Sequence, residues 1–253
     1  MKQLDKDHIL ASTQNTEYTL ELFESIGSTN DYLATLTPGR LPRFCVAEQQ
    51  TQGRGRLGRN WYSPLGQNVY LSCQYPFQKN IASLAGLSLV VGLAVINILK
   101  HYLPSAELKA KWPNDIVYEN KKLAGILLNV QAESNGFCSA IVGIGLNVNM
   151  IEDIENHIAQ SWTSMRKIVG NYVNRNDVCI LLIDSLLKYL KRFADIGLSG
   201  FMQEWQEVDS LFGKKVNIKS MTGSVTGIAR GIDSLGQLLL ESSSGVVSAF
   251  STG

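Results

Sequence analysis

The sequence contains little cysteine and histidine, and its charges nearly cancel. Four cysteines and three histidines occur among 253 residues, and no two cysteines have the spacing of a zinc-binding C-x-x-C motif. Structural zinc sites and disulfide-rich secreted domains depend on such clusters, so we expect neither. A net charge of +1 provides no long-range field that would attract nucleic acid. Any cationic function must therefore be local.

The sequence also gives no indication of export or of membrane anchoring. Its N-terminus lacks the apolar core of a signal peptide, and cysteines in strand-like apolar runs indicate buried thiols in a reducing compartment such as the cytoplasm. Residues 81–99 are uncharged and long enough to cross a bilayer, but small and polar residues interrupt them. We predict a buried core helix for this stretch, and no membrane partner.

The most informative segment is residues 49–61, which read QQTQGRGRLGRNW. Three glycines and three arginines are interspersed between positions 53 and 59. Glycine lets the backbone adopt positive φ and approach a ligand closely, and arginine presents a cationic fork that suits phosphate or carboxylate oxygens. This pattern predicts an anion-binding loop.

Three other interpretations of the loop compete. A dinucleotide-binding G-x-G-x-x-G loop should open a helix and meet an acidic residue about twenty positions later, and the sequence does neither. A phosphate-binding P-loop requires Lys followed by Ser or Thr, where Arg59 and Asn60 stand. A solvated basic loop or an RNA-binding Arg-Gly patch is common in general, but this motif is single and the chain is not basic overall.

The surrounding motifs decide between these interpretations. Ser28-Thr29-Asn30 precedes the loop, and KWPND at 111–115, KKLAGIL at 121–127 and GIGLNVN at 143–149 follow it. Together, in this order, they resemble the biotin protein ligases, which adenylate biotin and attach it to a lysine of a carrier protein. The resemblance covers roughly residues 23–241, and the combination is far more specific than any single motif.

The resemblance implies a set of site residues as well as a reaction. It implies biotin as substrate, ATP as co-substrate with Mg²⁺, and a biotin carboxyl carrier protein as partner. Positions matching the family's biotin contacts are Ser28, Thr29, Asn30, Gln50, Gly53, Arg54, Gly55, Arg56, Lys122, Gly125 and Gly143. Positions matching its nucleotide side are Arg56, Arg59, Trp61, Lys111 and Asn147, with Gly145 in the pocket floor. We expect Lys111, Arg54 and Arg56 to be catalytic, and Asp115 is a candidate either to orient Lys111 or to help hold Mg²⁺.

Structural explanations stay open for several of these residues. Ser28 or Thr29 would serve as a helix cap whatever the function, and glycines after a strand often form a tight turn. Trp61 fits either an aromatic surface for the adenylate or the core. Trp112 is interpreted as core.

Periodicity and turn signals predict an α+β fold with a mixed sheet flanked by helices. Helices are expected at 28–36, 81–103, 176–196 and 198–208. Strands are expected at 44–49, 68–75, 107–111, 116–118, 122–131, 137–147, 215–219, 224–229 and 237–240. By resemblance, residues 1–210 form the catalytic domain and residues 211–253 a small SH3-like β-barrel.

Two rival functions stay open at this point. A lipoate or octanoate protein ligase shares the fold, although the arginine loop with KWPND favours biotin. A non-catalytic biotin-sensing regulator is the other rival. Only about twenty residues precede the catalytic region, too few for the winged helix-turn-helix of repressor relatives, so we expect no DNA binding. The resemblance also allows a homodimer.

Overall fold

A computed structural model of the chain describes residues 2–14, 17–132, 138–153, 156–220 and 223–251. The strands of its main sheet are β1 (Thr19–Ile26), β2 (Arg43–Gln50), β3 (Val69–Phe77), β4 (Leu108–Lys111), β5 (Asp115–Tyr118), β6 (Lys121–Ala132) and β7 (Cys138–Leu146). Their order is β1-β2-β3-β7-β6-β5-β4. Only β1 and β2 are parallel among these neighbours, so the described sheet is mixed, as predicted.

Helices cover both faces of this sheet. They are α1 (Lys6–Ser12), α2 (Thr29–Thr35), α3 (Leu87–Tyr102), α4 (Met165–Val169), α5 (Arg175–Ile196) and α6 (Met202–Val208). Side chains alternate between the two faces along a strand. On β2, Cys45 packs with Leu33 of α2, whereas Phe44 and Val46 belong to the larger core under α3 and α5. The polar motifs described in the sequence analysis meet on the face of the sheet that α2 covers.

The long apolar segment is a core helix preceded by a short turn. Ile81–Tyr102 would suit a membrane span by length and composition, but 61% of its most apolar window is buried inside the fold. Gly86 adopts a φ of 78° and separates the 3-10 turn Ile81–Leu84 from α3. The prediction of a buried helix is therefore confirmed, with a later start than expected.

The C-terminal residues form a second, smaller sheet. Its antiparallel strands are β8 (Lys215–Ser220), β9 (Gly223–Ile232), β10 (Leu238–Glu241) and β11 (Val247–Phe250), in the order β11-β10-β9-β8. This small sheet fits the expected SH3-like C-terminal domain, and β8 and β11 do not pair within the described residues. Ile218, Ala229 and Leu238 share the main hydrophobic core, and Trp112 Nε1 donates to the Gly236 carbonyl oxygen at 3.0 Å. Trp112 is a core residue, as interpreted from the sequence.

A buried polar network attaches the N-terminal segment to the sheet. Arg175 Nη1 lies 2.5 Å from Glu48 Oε2, and the two side chains are only 1% and 6% exposed. The other Glu48 oxygen accepts from the Leu4 amide, and Arg175 Nη2 donates to the Lys2 carbonyl oxygen. Helix α1 was not predicted, because this anchoring depends on residues more than 40 positions away.

The thiols are as expected from the sequence. All four cysteines are buried and none forms a disulfide. Burial raises the pKa of Cys45 and of Cys179 to about 12, so both thiols stay protonated at neutral pH. They act as small apolar side chains of the core.

Candidate active site

Most of the predicted site residues surround one pocket on the α2 side of the sheet, called here the inner pocket. Helix α2 begins beside this pocket. Its first residue follows Ser28, whose side-chain oxygen caps the helix by accepting a hydrogen bond from the Asp31 amide at 3.3 Å. The basic loop closes the pocket from the other side. The predicted residues that line it are Ser28, Thr29, Asn30, Gln50, Arg54, Gly55, Arg56, Trp61, Lys122, Gly125, Gly143 and Gly145.

Polar side chains in the inner pocket are bonded to one another. Thr29 donates its amide and hydroxyl to Gln50 Oε1, at 2.9 and 3.1 Å. The Thr29 hydroxyl also contacts Ser72 Oγ at 2.7 Å, and Ser72 Oγ donates to Asn30 Oδ1 at 2.5 Å. Thr29, Asn30 and Ser72 are all buried. The network fixes which donor and acceptor atoms each side chain can offer a ligand.

Sequence reasoning missed two polar residues of this pocket, Ser72 and Asn114. Ser72 lies in the apolar strand β3, where it pairs with Gly143 of β7. A Cβ on Gly143 would lie 2.3 Å from Asn30 Oδ1, so the glycine makes room for the network. A serine inside an otherwise apolar strand was the available signal, since buried hydroxyls need partners.

The basic loop is a compact turn held by its own backbone. The Gly55 amide donates to the Arg59 carbonyl oxygen at 2.7 Å, and the Trp61 amide donates to the Gly53 carbonyl oxygen at 2.8 Å. The glycines differ in purpose. Gly58 adopts a φ of 73°, whereas a Cβ on Gly53 would lie 2.4 Å from the Trp61 carbonyl oxygen. Of the three predicted glycines, Gly58 alone needs positive φ, and the exposed Leu57 unexpectedly shares that conformation.

The three arginines of the loop point to different places. Arg54 Nε lies 2.9 Å from Asp31 Oδ2 on α2, which ties the loop to the helix. Arg56 Nη1 donates to Asn114 Oδ1 at 3.3 Å, in the turn between β4 and β5. Arg59 does not line the inner pocket and instead faces its larger neighbour. The loop therefore distributes its charge over two pockets.

The neighbouring pocket, called here the outer pocket, is rich in cations. It lies between the loop, the β4–β5 turn and the C-terminal sheet, and Arg56 lines both pockets. The pockets contain about 460 Å³ (inner) and 1590 Å³ (outer) of space between atoms, part of it open to solvent. Cations that line the outer pocket are Arg56, Arg59, Lys111, Lys122 and Lys214. Asp115 is its one lining carboxylate among the described residues.

Burial and charge already affect the Arg56 guanidinium. Burial lowers the pKa of Arg56, Asp115 raises it, and the neighbouring Arg59 lowers it. Burial disfavours the charged form of a guanidinium and a nearby negative charge favours it, so an anionic ligand would be favoured beside Arg56. Lys111 is exposed and lines the outer pocket but not the inner one.

Trp61 packs against a glycine floor that also lines the inner pocket. Gly125 of β6 pairs with Gly145 of β7, and a Cβ on Gly145 would lie 2.2 Å from the Trp61 ring. Lys122 Nζ lies over the same ring, 5.1 Å from its centre. Asn147 is not in the inner pocket. Its Nδ2 donates to the Thr163 carbonyl oxygen at 3.0 Å, and it lines a third cavity behind Trp61.

The residues present do not suit a metal held by protein side chains. The described residues contain no group of three or more His, Cys, Asp or Glu side chains placed to hold an ion. Asp115 Oδ1 lies 2.8 Å from Lys122 Nζ, so its charge is already balanced. One paired carboxylate rarely fixes Mg²⁺. Asp115 contacts Lys122, and its part in holding a metal stays a prediction.

Comparison with known proteins agrees with this geometry. Residues 22–149 match the biotin/lipoate A/B protein ligase family, and residues 211–253 match the biotin protein ligase C-terminal domain. The chain is 35% identical over 218 residues to the bifunctional ligase/repressor BirA of Escherichia coli, covering 85% of this chain and 67% of that protein. It is 30% identical over 223 residues to the biotin–[acetyl-CoA-carboxylase] ligase of Paracoccus denitrificans, covering 86% of this chain and 92% of that protein.

A solved structure extends the likeness to the whole fold. The biotin protein ligase from Aquifex aeolicus in complex with biotin and ATP superposes with a TM-score of 0.79 at 28% identity. The superposition covers 93% of this chain and 96% of that one, so both sheets are included. The chain belongs to the biotin/lipoate A/B protein ligase family.

Proposed function

We propose that the chain is an ATP-dependent biotin–[acetyl-CoA-carboxylase] ligase. In the first step, a biotin carboxylate oxygen attacks the α-phosphorus of ATP, and the bond to the leaving pyrophosphate breaks. In the second step, the amine of a carrier lysine attacks the biotinyl carbonyl carbon, and AMP leaves as the amide forms. Both steps proceed without a covalent enzyme intermediate, since no nucleophile is paired with a base in either pocket among the described residues.

The contrast between the two joined pockets carries this proposal. The inner pocket offers neutral, prearranged donors and acceptors, which suit the ureido ring of biotin. The outer pocket offers a cationic wall, which suits a triphosphate. Arg56 lines both, so the carboxylate and the α-phosphate would meet beside it. Two anions brought together in this way need cationic stabilisation more than any other help.

Individual roles follow from position. Ser28, Thr29, Asn30 and Gln50 hold the biotin ring, and Gly53, Gly55, Gly125 and Gly143 admit it close to the backbone. Lys122 and Arg54 lie toward the biotin carboxylate. Lys111 and Arg56 stabilise charge on the α-phosphate, Arg59 faces the outer phosphates, and Trp61 and Asn147 form the nucleotide wall. ATP brings Mg²⁺ as its own counterion, which would neutralise the departing pyrophosphate.

The domain division and the protein partner are part of the same proposal. Residues 1–210 supply the chemistry, and residues 211–253 close the outer pocket. A biotin carboxyl carrier protein is the acceptor, as the name of the Paracoccus relative, a biotin–[acetyl-CoA-carboxylase] ligase, suggests. We propose no DNA partner, because the cations of the site face ligand pockets and the net charge is only +1.

The deciding experiment is biotin-dependent exchange of labelled pyrophosphate into ATP, which requires only the first step. Lipoate and octanoate replace biotin in parallel reactions, because the family also contains lipoate ligases. Exchange with biotin alone supports the proposal, and exchange with lipoate or octanoate alone contradicts it. Biotin binding without any exchange would identify a sensor instead. Transfer to the lysine of a purified carrier domain then tests the second step.

A further inference from the structure

The turn between α6 and the smaller sheet reaches into the outer pocket. Ser210, Leu211 and Lys214 line the pocket together with Lys111 and the basic loop. No motif pointed to these residues, and the roles proposed above leave them unused. They are the contribution of the domain junction to the pocket wall.

Backbone hydrogen bonds hold this turn to both sheets. The Ser210 amide donates to the Ala110 carbonyl oxygen at 2.9 Å, one residue before Lys111. On the other side, the Gly213 amide donates to the Ala229 carbonyl oxygen and the Ala229 amide to the Lys214 carbonyl oxygen, at 2.8 and 2.9 Å. The distance between the turn and Lys111 is therefore fixed by the fold rather than by flexible side chains.

The Ser210 hydroxyl is an unexplained polar group at this wall. The residue is only 9% exposed, and Ser210 Oγ has no hydrogen-bond partner among the described residues. A buried hydroxyl without a partner destabilises a fold, because its hydrogen bonds to water are lost and not replaced. A ligand oxygen in the outer pocket would satisfy it.

Lys214 adds a cation four residues later. It is exposed and lines the outer pocket together with Arg56 and Arg59. The positive charge of Lys214 also acts on the Asp209 carboxyl. Burial raises the pKa of Asp209, whereas hydrogen bonds from the following backbone and the charge of Lys214 lower it. The only carboxylate lining the described outer pocket, Asp115, is already paired with Lys122. An anion bound in the pocket would therefore have Lys214 among the cations around it, as well as Arg56, Arg59 and Lys111.

We propose that Ser210 and Lys214 bind the outer phosphates of ATP and hold the pyrophosphate as it leaves. Ser210 donates its hydroxyl to a phosphate oxygen, and Lys214 supplies a positive charge beside it. The inference rests on the proposed function and adds two positioning residues to it. It also gives the smaller sheet a defined part in the first step and none in the second.

The test separates the two half-reactions. In Lys214→Met, the KM for ATP in biotin-dependent pyrophosphate exchange should rise about tenfold, the effect of losing one charge-assisted contact. Transfer from prepared biotinyl-5′-AMP to a carrier domain should stay within about twofold of wild type. Lys215→Met is the matched control, because Lys215 is also exposed but lies outside the outer pocket. Lys214→Arg should restore most of the ATP affinity, since it keeps the charge.

Ser210→Ala provides an independent readout that a purely structural residue would not give. Removing an unpartnered buried hydroxyl should leave the melting temperature unchanged or slightly higher. The KM for ATP should nevertheless rise about threefold to tenfold, the effect of one lost hydrogen bond, with biotin affinity unchanged. A lower melting temperature with an unchanged KM would overturn the role of Ser210.

Failure of the inference is distinguishable from failure of the proposed function. If the wild type shows no biotin-dependent exchange, the function is wrong. If the wild type is active and Lys214→Met behaves like Lys215→Met, the pyrophosphate contact is wrong while the function stands. Equal slowing of both half-reactions by Lys214→Met would also overturn it, because the second step contains no pyrophosphate.

Discussion

The inner and outer pockets share a wall but differ in how their polar side chains are arranged. In the inner pocket, Thr29, Asn30 and Ser72 are buried and bonded to one another, so their orientations exist before any ligand arrives. In the outer pocket, Lys111 and Lys214 are exposed cations on separate elements. A neutral polar ligand gains most from prearranged partners, whereas an anion gains most from accumulated positive charge.

This difference predicts different consequences of mutation. Damage to the inner pocket should act on biotin binding, because a disturbed network no longer presents its donors and acceptors. Damage to the outer pocket should act on the rate of adenylation, because its cations face charge that develops during the reaction. The comparison would be wrong if inner-pocket variants changed only the adenylation rate, or if outer-pocket variants changed only biotin binding.

The largest effect is expected for Lys111→Ala. Adenylate formation in a single turnover should slow by about a hundredfold or more, the loss seen when a prearranged electrostatic group is removed. Biotin affinity should be kept, because Lys111 lines only the outer pocket of the two. Calorimetry with biotin and rapid-quench measurement of biotinyl-5′-AMP check the two halves of this prediction.

Lys109→Ala is the control for that experiment. Lys109 lies two residues earlier on β4 and pairs with Glu107 at 3.1 Å, outside both pockets. It should behave like wild type. Near-normal single-turnover adenylation by Lys111→Ala would remove that lysine from the chemistry, and lost biotin binding would show that the two pockets are not separable.

Both pockets contain residues that the sequence predicts and residues that it does not. Local signals suffice for the Ser28 cap, the basic loop and Lys111, because each is encoded within a few adjacent residues. Ser72 and Asn114 were missed, since their roles depend on strand register and on a contact between Arg56 and a turn 58 residues away. The Ser210 turn was missed for the same reason. Likewise β1, β11, α1 and α4 lack a strong periodic pattern of their own.

A smaller effect, confined to the inner pocket, is expected for Gly143→Ala. The added methyl would lie 2.3 Å from Asn30 Oδ1, so Asn30 must move and its bond with Ser72 is lost. The Kd for biotin should rise about tenfold, the cost of roughly one buried hydrogen bond. At saturating biotin, the adenylation rate should stay within about threefold of wild type.

Gly27→Ala is the matched control for this variant. A Cβ on Gly27 would meet its nearest neighbour, Gln52 Oε1, at an ordinary 3.8 Å. Gly27 directly precedes the Ser28 cap, so the control tests the same region without a clash. Unchanged biotin affinity in Gly143→Ala, or an equal loss in Gly27→Ala, would contradict the proposed network.

The smallest effect concerns the loop that closes both pockets. The exposed pair between Arg54 and Asp31 should contribute only about 0–1 kcal/mol to stability, so neither Arg54→Ala nor Asp31→Asn should lower the melting temperature measurably. Each should nevertheless open the loop more often, and a few-fold more biotinyl-5′-AMP should escape and label lysines of a bystander protein. Added salt should increase labelling by the wild type, because it screens the same pair.

The two variants together identify what Arg54 does. Asp31→Asn breaks the ion pair but keeps the arginine, so escape in both variants means that the pair itself retains the intermediate. Escape only in Arg54→Ala means that the guanidinium acts directly on the adenylate. Glu21→Gln, which breaks the exposed pair between Lys6 and Glu21, should release none. Weak adenylation without escape in Arg54→Ala would confine Arg54 to substrate binding, and loop closure would then depend on other contacts, such as that between Arg56 and Asn114.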